Sequence, residues 1–595
     1  MRTYFKYLAP YYLRMAWGLA IKFSGTIMDL MIPYILEHII DNIVPRKDLH
    51  LIYFWGGIML ICSVYAVVSN IIANRMASRV ARDTTGKLRY DLFSKISYLS
   101  CAQTDEFTIP SLESRLTTDT YNVHQFTGMM QRMGVRAPIL LIGGLILSSM
   151  MDPVLTLVLA ATLPLLTLSV YFISKRGIPL YTNLQSATDT MVKVVRENIQ
   201  GIRVIKALSK TDYEKRRFRD VNLDLMKKEK RAGITMAATN PIMNFLLYVG
   251  LTVVIVVGAF RVNAGLSEVG KIMAMMSYFT YILNAMLSVT RIFITYTKFA
   301  ASMERIERVL EAPDDLSVLT EEDLDPENED ETENTDKSSV KPESEVNALA
   351  IPHIEFCDVS FSYNGKKNNV SNISFALMRG ETLGIIGATG SGKTTLISLL
   401  LRFYDPSGGI IKINGRDIRT IKREELSTMF GIALQNDFLF ADTIIENIKF
   451  GRDISDDEVI RAAKASQASE FIDKKEDGYN FLLDIKGANL SGGQKQRLTI
   501  ARALAGNPEI LILDDSSSAL DYKTDARLRR ELAEQYRDAT KVIVAQRVSS
   551  IMSAEHILVM DDGKVIASGT HEELMKSCDI YREIAESQMG GAILD

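Results

Sequence analysis

The chain has 595 residues, of which 47% are hydrophobic and 24% are charged, and its net charge is −4. This length predicts several domains rather than a single core, and the weak negative charge predicts no nucleic-acid partner. The four cysteines, Cys62, Cys101, Cys357 and Cys578, form no CxxC pair, so neither a zinc site nor a disulfide framework is expected.

Long apolar runs dominate residues 1–310. Each of them approaches the ~20 residues that cross a bilayer. They cover residues 16–40, 51–74, 127–150, 154–175, 241–262 and 271–297. Ahead of them, residues 3–14 mix aromatic and basic side chains around Pro10, which predicts an interfacial helix on the membrane surface. We therefore predict an all-α transmembrane domain of six spans over residues 1–310, embedded in the cell membrane.

Charge predicts the orientation of these spans. The long connections 75–126 and 176–240 are rich in Arg and Lys, whereas the other connections are short. The positive-inside tendency places the long connections and both termini in the cytoplasm. We expect their helices to extend beyond the bilayer, with turns near 100–111 and 209–219 that reach the soluble domain.

A few polar residues within the spans suggest a substrate cavity. Asp29 is our candidate for a charge at membrane depth, where such groups usually face a bundle interior or a water-filled path. Arg291 is its candidate partner, and Asn284 and Tyr281 place further polar groups on the same predicted helix. A structural bond between helices, or snorkelling of Asp29, accounts for that residue equally well.

The segment 311–350 separates the two halves of the chain. It is acidic and polar and contains no aromatic residue. Such a segment cannot bury enough apolar surface to order itself, so we predict a flexible linker, with a regulatory segment as the alternative. Residues 351–595 then have the composition of a soluble α/β domain.

A glycine-rich stretch is the first candidate binding site in this second half of the chain. It lies between a predicted strand, 383–386, and an apolar helix, and consists of Gly387, Ala388, Thr389, Gly390, Ser391, Gly392, Lys393, Thr394 and Thr395. Backbone N–H groups in such a turn bind an anion, and a helix N-terminus favours negative charge. Lys393 adds a positive charge for terminal phosphates, and the Thr394 hydroxyl can ligate Mg²⁺. Glycine-rich turns also occur for packing reasons alone.

Other parts of a nucleotide site follow along the chain. Tyr363, ahead of the cradle, can stack on a purine, and Gln435, after a predicted strand, could reach Mg²⁺ or an attacking water. The remaining candidates are Ser491, Gly492, Gly493 and Gln494 in the stretch 490–497, Asp514 and Asp515 after the predicted strand 510–513, Asp521, and Gln546 after the predicted strand 542–545. Taken singly, each is more simply a strand end or a helix cap.

Together these stretches resemble the ATP-binding cassette (ABC) exporters, in which six membrane helices are fused to one nucleotide-binding domain. The Walker A, Q-loop, LSGGQ, Walker B and D-loop motifs occur here in the family's order. The resemblance implies ATP and Mg²⁺ as cofactors, with Asp514 at the metal. It also implies head-to-tail pairing, in which each ATP lies between one Walker A and the other chain's LSGGQ, with the D-loop residue Asp521 at the interface. One copy of each motif therefore implies a second chain.

Two residues depart from the family pattern. Asp515 stands where the family usually has a glutamate that polarises the attacking water, and Gln546 stands where it has a histidine at the γ-phosphate. Because a shorter carboxylate sits back from the water, we expect slow hydrolysis at the site formed by Asp515, Gln546 and Gln435. This resembles the degenerate-site subunit of heterodimeric exporters, whose partner carries Glu and His at these positions. The alternatives are a homodimeric exporter and an ATP-gated channel or regulatory subunit; the expected cargo is an amphipathic drug, lipid or peptide.

Overall fold

The computed structural model of the protein describes residues 1–320, 351–435 and 438–589. Residues 321–350, which make up most of the predicted linker, lie outside the described residues. The chain divides into two compact units. The helical unit comprises Met1–Ser97 and Phe107–Ala312, and the α/β unit comprises Tyr98–Glu106 and Pro313–Asp595.

Within the described residues, the helical unit has six segments that are long and apolar enough to cross a membrane, as the sequence predicts. They are Arg2–Arg46, Leu49–Ser97, Ile109–Met151, Pro153–Gln200, Thr211–Asn263 and Val269–Leu310. The second has 49 residues, or roughly 70 Å at 1.5 Å per residue, against about 30 Å for a bilayer's hydrocarbon core. The helices are therefore long enough to extend beyond the membrane, as expected.

Short turns divide these segments into individual helices. The helices are α1 (Arg2–Leu8), α2 (Tyr12–His38), α3 (Leu49–Ser97), α4 (Cys101–Phe107), α5 (Ile109–Ser114), α6 (Thr120–Met133), α7 (Arg136–Met151), α8 (Pro153–Gln200), α9 (Ile202–Ala207), α10 (Thr211–Ala237), α11 (Thr239–Asn263) and α12 (Val269–Leu310). Pro10 lies in the turn between α1 and α2. The chain turns there because proline interrupts the hydrogen bonds of a helix. A π-helical turn, Arg115–Asp119, joins α5 to α6.

The first span, α2, packs closely against two other spans. At Gly25, a Cβ atom would lie 2.9 Å from the Cβ of Ser69 in α3, so glycine permits the close approach of the two helices. On the side of α12, the Tyr278 hydroxyl donates a hydrogen bond of 2.9 Å to the Leu30 carbonyl. The contact at Gly25 brings α2 against α3, and the Tyr278 hydrogen bond joins α2 to α12.

The described residues of the α/β unit form two sheets. Their strands are β1 (Ile354–Phe361), β2 (Val370–Leu377), β3 (Thr382–Gly387), β4 (Gly408–Ile413), β5 (Arg416–Asp417), β6 (Phe430–Ala433), β7 (Ile510–Asp514), β8 (Thr540–Val544), β9 (His556–Asp561) and β10 (Lys564–Gly569). An antiparallel sheet has the order β2-β1-β4-β5, and a larger sheet has the order β10-β9-β3-β8-β7-β6. In the larger sheet β3 and β6 to β9 run parallel, while β10 is antiparallel to β9.

Helices surround these sheets. They are α13 (Lys393–Leu400), α14 (Arg423–Met429), α15 (Ile444–Lys449), α16 (Asp456–Ala465), α17 (Ser469–Ile472), α18 (Gly492–Leu504), α19 (Tyr522–Gln535), α20 (His571–Ser577) and α21 (Asp579–Met589). Strand β7, between β8 and β6, is buried along its whole length, as expected for a parallel strand covered on both faces. Because β3, β7 and β8 are parallel neighbours, their carboxyl ends meet at one edge of the sheet, where the candidate site lies.

The segment Tyr98–Glu106 belongs to the α/β unit, although it is flanked in sequence by membrane helices. The Asp315 amide donates to the Tyr98 carbonyl at 2.8 Å, and the Tyr404 hydroxyl donates to the Asp105 carboxylate at 2.5 Å. The first part of the predicted turn, residues 100–106, therefore belongs to the α/β unit, whereas residues 107–111 belong to the helical unit. The second turn lies in the helical unit, and the contact expected of it stays a prediction.

Candidate nucleotide-binding site

The loop after β3 has the geometry of a phosphate cradle. β3 ends at Gly387 and α13 begins at Lys393. Between them, Gly392 has a φ of 100°, a left-handed conformation that favours glycine. A Cβ at Gly392 would also lie 3.0 Å from both the Asn369 carbonyl oxygen and Val370 Cγ1. Glycine is thus needed at this position both for the backbone conformation and for the close approach of β2.

The other predicted cradle residues differ in their exposure to solvent. Thr389, Gly390 and Thr394 are exposed, whereas Ser391 and Thr395 are buried. The Thr394 hydroxyl, in the first turn of α13, is therefore open to a ligand. A loop whose outer residues are exposed and whose base is anchored can present backbone amides to an anion.

Lys393 places a positive charge over this loop. Its Nζ donates to the carbonyl oxygens of Gly387 and Ala388, each at 2.8 Å. Burial lowers the pKa of Lys393, and the carboxylates of Asp514 and Asp515 oppose that shift. The ammonium thus lies within electrostatic reach of both acidic residues at the end of β7.

The two aspartates differ in their surroundings. Asp514 is only 3% exposed, and burial, followed by repulsion from Asp515, raises its pKa to about 6, with Lys393 acting in the opposite direction. Burial also raises the pKa of Asp515, while Lys393, Arg547 and a hydrogen bond from Gln546 lower it. Lys393 favours the ionised form of Asp514, and an ionised carboxylate supplies the hard oxygen ligand that a divalent cation prefers.

Asp515 and Gln546, the two departures from the family pattern, are bonded to each other. Gln546 Nε2 donates to Asp515 Oδ2 at 2.8 Å. Asp515 has a φ of 48°, and its amide donates to the Val544 carbonyl at 2.9 Å. The backbone after β7 therefore turns sharply toward β8, which brings the two side chains together.

Gln588 in α21 forms two hydrogen bonds with the backbone next to this pair. Its Nε2 donates to the Gln546 carbonyl at 2.8 Å, and its Oε1 accepts the Val548 amide at 2.8 Å. No local pattern in the sequence pointed to Gln588, because it lies 42 residues after Gln546. A cavity of about 670 Å³ opens beside the pair, lined by Asp515, Tyr522, Gln546 and Arg547 among others.

The LSGGQ stretch forms the start of α18. The Ser491 side chain accepts the Gln494 amide at 3.4 Å, and the Gln494 side chain accepts the Ser491 amide at 3.0 Å. Both residues thus form a capping box. Gly493 is held close to the D-loop, because a Cβ there would lie 3.0 Å from the Ala519 carbonyl oxygen.

Gln496 links α18 to the D-loop through both ends of its amide. Its Nε2 donates to Ser518 Oγ at 3.1 Å, and its Oε1 accepts the Ala519 amide at 2.9 Å. Ser518 Oγ in turn donates to the Asp515 carbonyl at 3.0 Å. A chain of hydrogen bonds therefore runs from the signature helix to the aspartate at the end of β7. The sequence interpretation missed Gln496, although it lies within the singled-out stretch 490–497.

Asp521 and its neighbours complete the D-loop region. The Asp521 carboxylate accepts the Thr524 amide and the Thr524 hydroxyl, each at 2.9 Å, and so caps α19. Arg547 donates to the carbonyls of Ser518 and Leu520 at 3.3 and 3.5 Å. The D-loop is thus held from both sides, and the interface role of Asp521 stays a prediction.

Tyr363 and Gln435 lie at the margins of the site. The Tyr363 ring is half exposed, and its hydroxyl lies 3.5 Å from Thr395 Oγ1 in α13. Gln435 is exposed two residues past the end of β6. Their positions are compatible with the predicted stacking on a purine and contact with magnesium, both of which stay predictions.

The site contains oxygen ligands that suit Mg²⁺ and hydrogen-bond donors that suit a nucleoside triphosphate. The Thr394 hydroxyl, the Gln435 amide and the Asp514 carboxylate all supply hard oxygen ligands, which Mg²⁺ prefers. The glycine turn before α13 supplies backbone N–H groups, and Lys393 supplies charge for phosphate oxygens. Two of these groups are already neighbours, since the charges of Lys393 and Asp514 influence each other.

In the helical unit, the partner predicted for Asp29 is wrong. Asp29 Oδ2 accepts a hydrogen bond from Arg136 at 3.1 Å rather than pairing with Arg291, which is exposed on α12. Asn284 donates to the Thr280 carbonyl of its own helix at 3.0 Å. Arg136 lies 107 residues after Asp29, so only the packing of α2 against α7 selects it.

Models of known families match most of the chain. The "ABC transporter transmembrane region" matches residues 15–286, and the "ABC transporter" domain matches residues 370–518. The second match covers the cradle, the LSGGQ stretch and both aspartates after β7. The described geometry and the family models therefore identify the same part of the α/β unit.

Full-length relatives and a solved structure agree with these matches. The chain is 33% identical over 592 residues to YfiB, an uncharacterized ABC transporter ATP-binding protein of Bacillus subtilis, with 99% of both chains covered. It is 31% identical to MT1311 of Mycobacterium tuberculosis, also an uncharacterized ABC transporter ATP-binding protein, covering 98% and 97% of the two chains. A bacterial Atm1-family ABC exporter solved with ATP bound has the same fold, with a TM-score of 0.79 and 21% identity over 97% of this chain and 98% of that chain.

Proposed function

Because the chain belongs to the ABC transporter family and is a multi-pass subunit of an ABC exporter, we propose that it is the degenerate-site half of a heterodimer. In this role its own Walker motifs bind ATP and hydrolyse it slowly. Its intact LSGGQ stretch completes the site of a partner chain with Glu and His at the catalytic positions. That partner's site carries most of the hydrolysis.

The hydrogen bond between Gln546 and Asp515 carries this proposal. A residue that polarises an attacking water needs a free carboxylate oxygen within reach of that water. Here Oδ2 of Asp515 is occupied by the Gln546 amide at 2.8 Å, and the side chain is one methylene shorter than glutamate. A displacement of ~1 Å from the reactive position costs on the order of a hundredfold in rate. Gln546, unlike a histidine, cannot become a cation at the γ-phosphate.

The rest of the site retains the groups needed to bind a nucleotide. Loop amides, Lys393 and the first turn of α13 would hold the phosphates. Thr394, Gln435 and Asp514 would hold Mg²⁺, which when bound shields charge between phosphate oxygens. A site that binds tightly and hydrolyses slowly would act as a clamp that keeps two α/β units closed.

The helical unit supports the proposed orientation and the proposed class of cargo. Its six apolar segments and the basic connections 75–126 and 176–240 support a cytoplasmic α/β unit. An amphipathic molecule suits a pathway lined by apolar helices that carry occasional polar groups.

The proposal is tested by ATPase measurements on the chain alone and with its partner. The chain is purified alone, and then after co-expression with an ABC half-transporter from the same genome that carries Glu and His. We expect little turnover alone and at least tenfold more with the partner. Replacing the partner's glutamate by glutamine should abolish this gain.

One outcome would contradict the heterodimer, and another would contradict its role as an exporter. Rapid turnover by the chain alone would indicate a homodimeric exporter. Failure of the co-purified pair to accumulate any amphipathic probe against its gradient in sealed vesicles would instead favour a channel or regulatory subunit.

A further inference from the structure

A buried polar cluster in the helical unit takes no part in the nucleotide site. Lys22, in the middle of α2, is only 3% exposed. Its Nζ donates to Asn70 Oδ1 at 2.7 Å and to Asn74 Oδ1 at 3.1 Å, both on α3. Lys22 and Asn70 lie inside apolar segments long enough to cross a membrane.

Asp29 and Arg136 extend this cluster along α2. Arg136, the first residue of α7, donates to Asp29 Oδ2 at 3.1 Å. Asn70 Nδ2 lies 3.4 Å from the same oxygen, so Asn70 links Lys22 to the ion pair. Tyr281 of α12 lies within electrostatic reach of Asp29 and Arg136. Side chains from four spans thus converge on one location.

Positive charge exceeds negative charge at this location. Lys22 lies within electrostatic reach of Arg136, Arg132 and Asp29, so this region holds three cations and one carboxylate. Within the described residues, neither Lys22 nor Arg132 forms a salt bridge: Lys22 is bound by the two asparagines, and Arg132 Nε donates to the Gly128 carbonyl at 2.9 Å. Cations without a carboxylate partner inside membrane-spanning segments are costly, and they commonly mark a substrate or ion pathway.

The cluster also has hydrogen-bond donors to offer. An ammonium group has three donors, and Lys22 uses two of them on Asn70 and Asn74. A guanidinium has five, and the Arg136 side chain, which binds Asp29, is 44% exposed. The Arg136 side chain is therefore accessible from outside the cluster, whereas the Lys22 side chain is buried.

We propose that Lys22, Arg136 and Arg132 bind the anionic end of an amphipathic substrate, a carboxylate or a phosphate monoester, whose apolar part lies along the spans. The anion would supply the missing negative charge, and Asn70, Asn74 and Asp29 would hold the cations in position. The inference rests on the proposed function of the chain as an exporter subunit and narrows its substrate class to amphipathic anions.

A binding experiment tests this inference without ATP hydrolysis or a partner chain, so its outcome is separate from that of the ATPase experiment. The full-length chain is placed in nanodiscs of zwitterionic lipid and titrated with a fluorescent long-chain fatty acid, with its methyl ester, and with the phosphate monoester of the same chain length. We expect the acid or the phosphate monoester, or both, to bind at least about tenfold more tightly than the uncharged ester. The stronger of the two identifies the preferred anion.

Variants then locate the site. Lys22→Met and Arg136→Gln should each weaken binding of the anionic probe by about tenfold and leave ester binding unchanged, because only a charge-assisted contact is lost. Lys22→Arg should retain most of the affinity. Lys175→Met, which removes an exposed cation elsewhere in the helical unit, is the matched control and should have no effect.

Two results would overturn the inference. One is equal binding of the charged and uncharged probes by the unmodified chain, which needs no variant to fold. The other is anionic-probe binding that survives both Lys22→Met and Arg136→Gln in protein that still binds the ester, which would leave the cluster with a purely structural role between helices.

Discussion

The side-chain amide of Gln546 donates a hydrogen bond of 2.8 Å to the carboxylate of Asp515. One residue follows β8 and the other follows β7, and the parallel pairing of these strands brings them together. Under the proposed function, each of these residues is expected to slow hydrolysis at this site. The hydrogen bond between them holds Asp515 Oδ2 against the Gln546 amide, which restrains the carboxylate that would otherwise orient a water.

Restoring both residues should therefore restore hydrolysis. We expect Asp515→Glu combined with Gln546→His to raise ATP turnover at this site by at least tenfold, because the longer carboxylate reaches the water and the histidine reaches the γ-phosphate. Turnover is measured in the complex with a partner whose own glutamate is replaced by glutamine, so that only this site contributes.

The single variants serve as controls for the pair. Asp515→Glu alone should give a smaller gain, since Gln546 can still occupy the carboxylate. If the double variant hydrolyses ATP no faster than the unmodified chain, residues other than this pair limit the rate.

The glycines of the cradle should differ in their tolerance of alanine. Gly392→Ala introduces a Cβ 3.0 Å from the Asn369 carbonyl at a φ of 100°, whereas Gly390→Ala at a φ of 84° meets no atom within 4 Å. We expect a loss of about 1 kcal/mol in the free energy of unfolding for Gly390→Ala, from backbone strain alone, and about 3 kcal/mol for Gly392→Ala. Denaturant titration of both variants measures the difference, and equal losses would count against the close approach of β2.

Asp514 should make the stability of the chain depend on pH. Because burial raises its folded pKa to about 6 from 3.8, folding favours the protonated form. The contribution of Asp514 to the free energy of unfolding is fully present below the unfolded pKa and is lost as the pH rises through about 6. The loss amounts to roughly 3 kcal/mol.

The variant Asp514→Asn isolates this effect from other acids. In Mg²⁺-free buffer, the variant should become progressively more stable than the unmodified chain as the pH is raised from about 4 to 7. Thermal unfolding at several pH values gives the difference. A gap between the two proteins that stays constant with pH would show that Asp514 does not titrate as described.

Gln496 should position the D-loop relative to the signature helix. Gln496→Leu leaves the Ala519 amide without its acceptor, and Gln496→Glu keeps an acceptor but loses the donor to Ser518. We expect Gln496→Leu to cost about 1–3 kcal/mol of stability and to reduce turnover at the partner's site more than it reduces ATP affinity. Gln496→Glu should recover part of that turnover.

Measuring kcat and KM for ATP in the heterodimer separates positioning from a general loss of structure. A positioning residue lowers kcat at nearly constant KM. If both variants lower turnover only in proportion to the amount of folded protein, Gln496 has a structural role alone.

Local patterns in the sequence were sufficient for the elements and for the phosphate loop. Runs of about 20 apolar residues predict spans because a bilayer has a fixed thickness, and the turn before α13 carries its own requirement for glycine at Gly392. The strands β3, β7 and β8 were also predictable, because buried parallel strands are continuous apolar runs. These features depend on neighbours in the chain.

The partners of the polar side chains were decided only by the tertiary structure. The charge criterion that singled out Asp29 applies equally to Lys22 and Arg136, but it does not say which groups meet. Arg136 reaches Asp29, and Asn70 reaches Lys22, because glycine at position 25 lets α2 approach α3 and because α7 packs beside them. The same is true of Gln546 and Asp515, whose bond depends on the pairing of β7 with β8. A hydrogen bond needs its two atoms within about 3 Å, and for residues distant in sequence that distance is set by long-range packing, which no local pattern records.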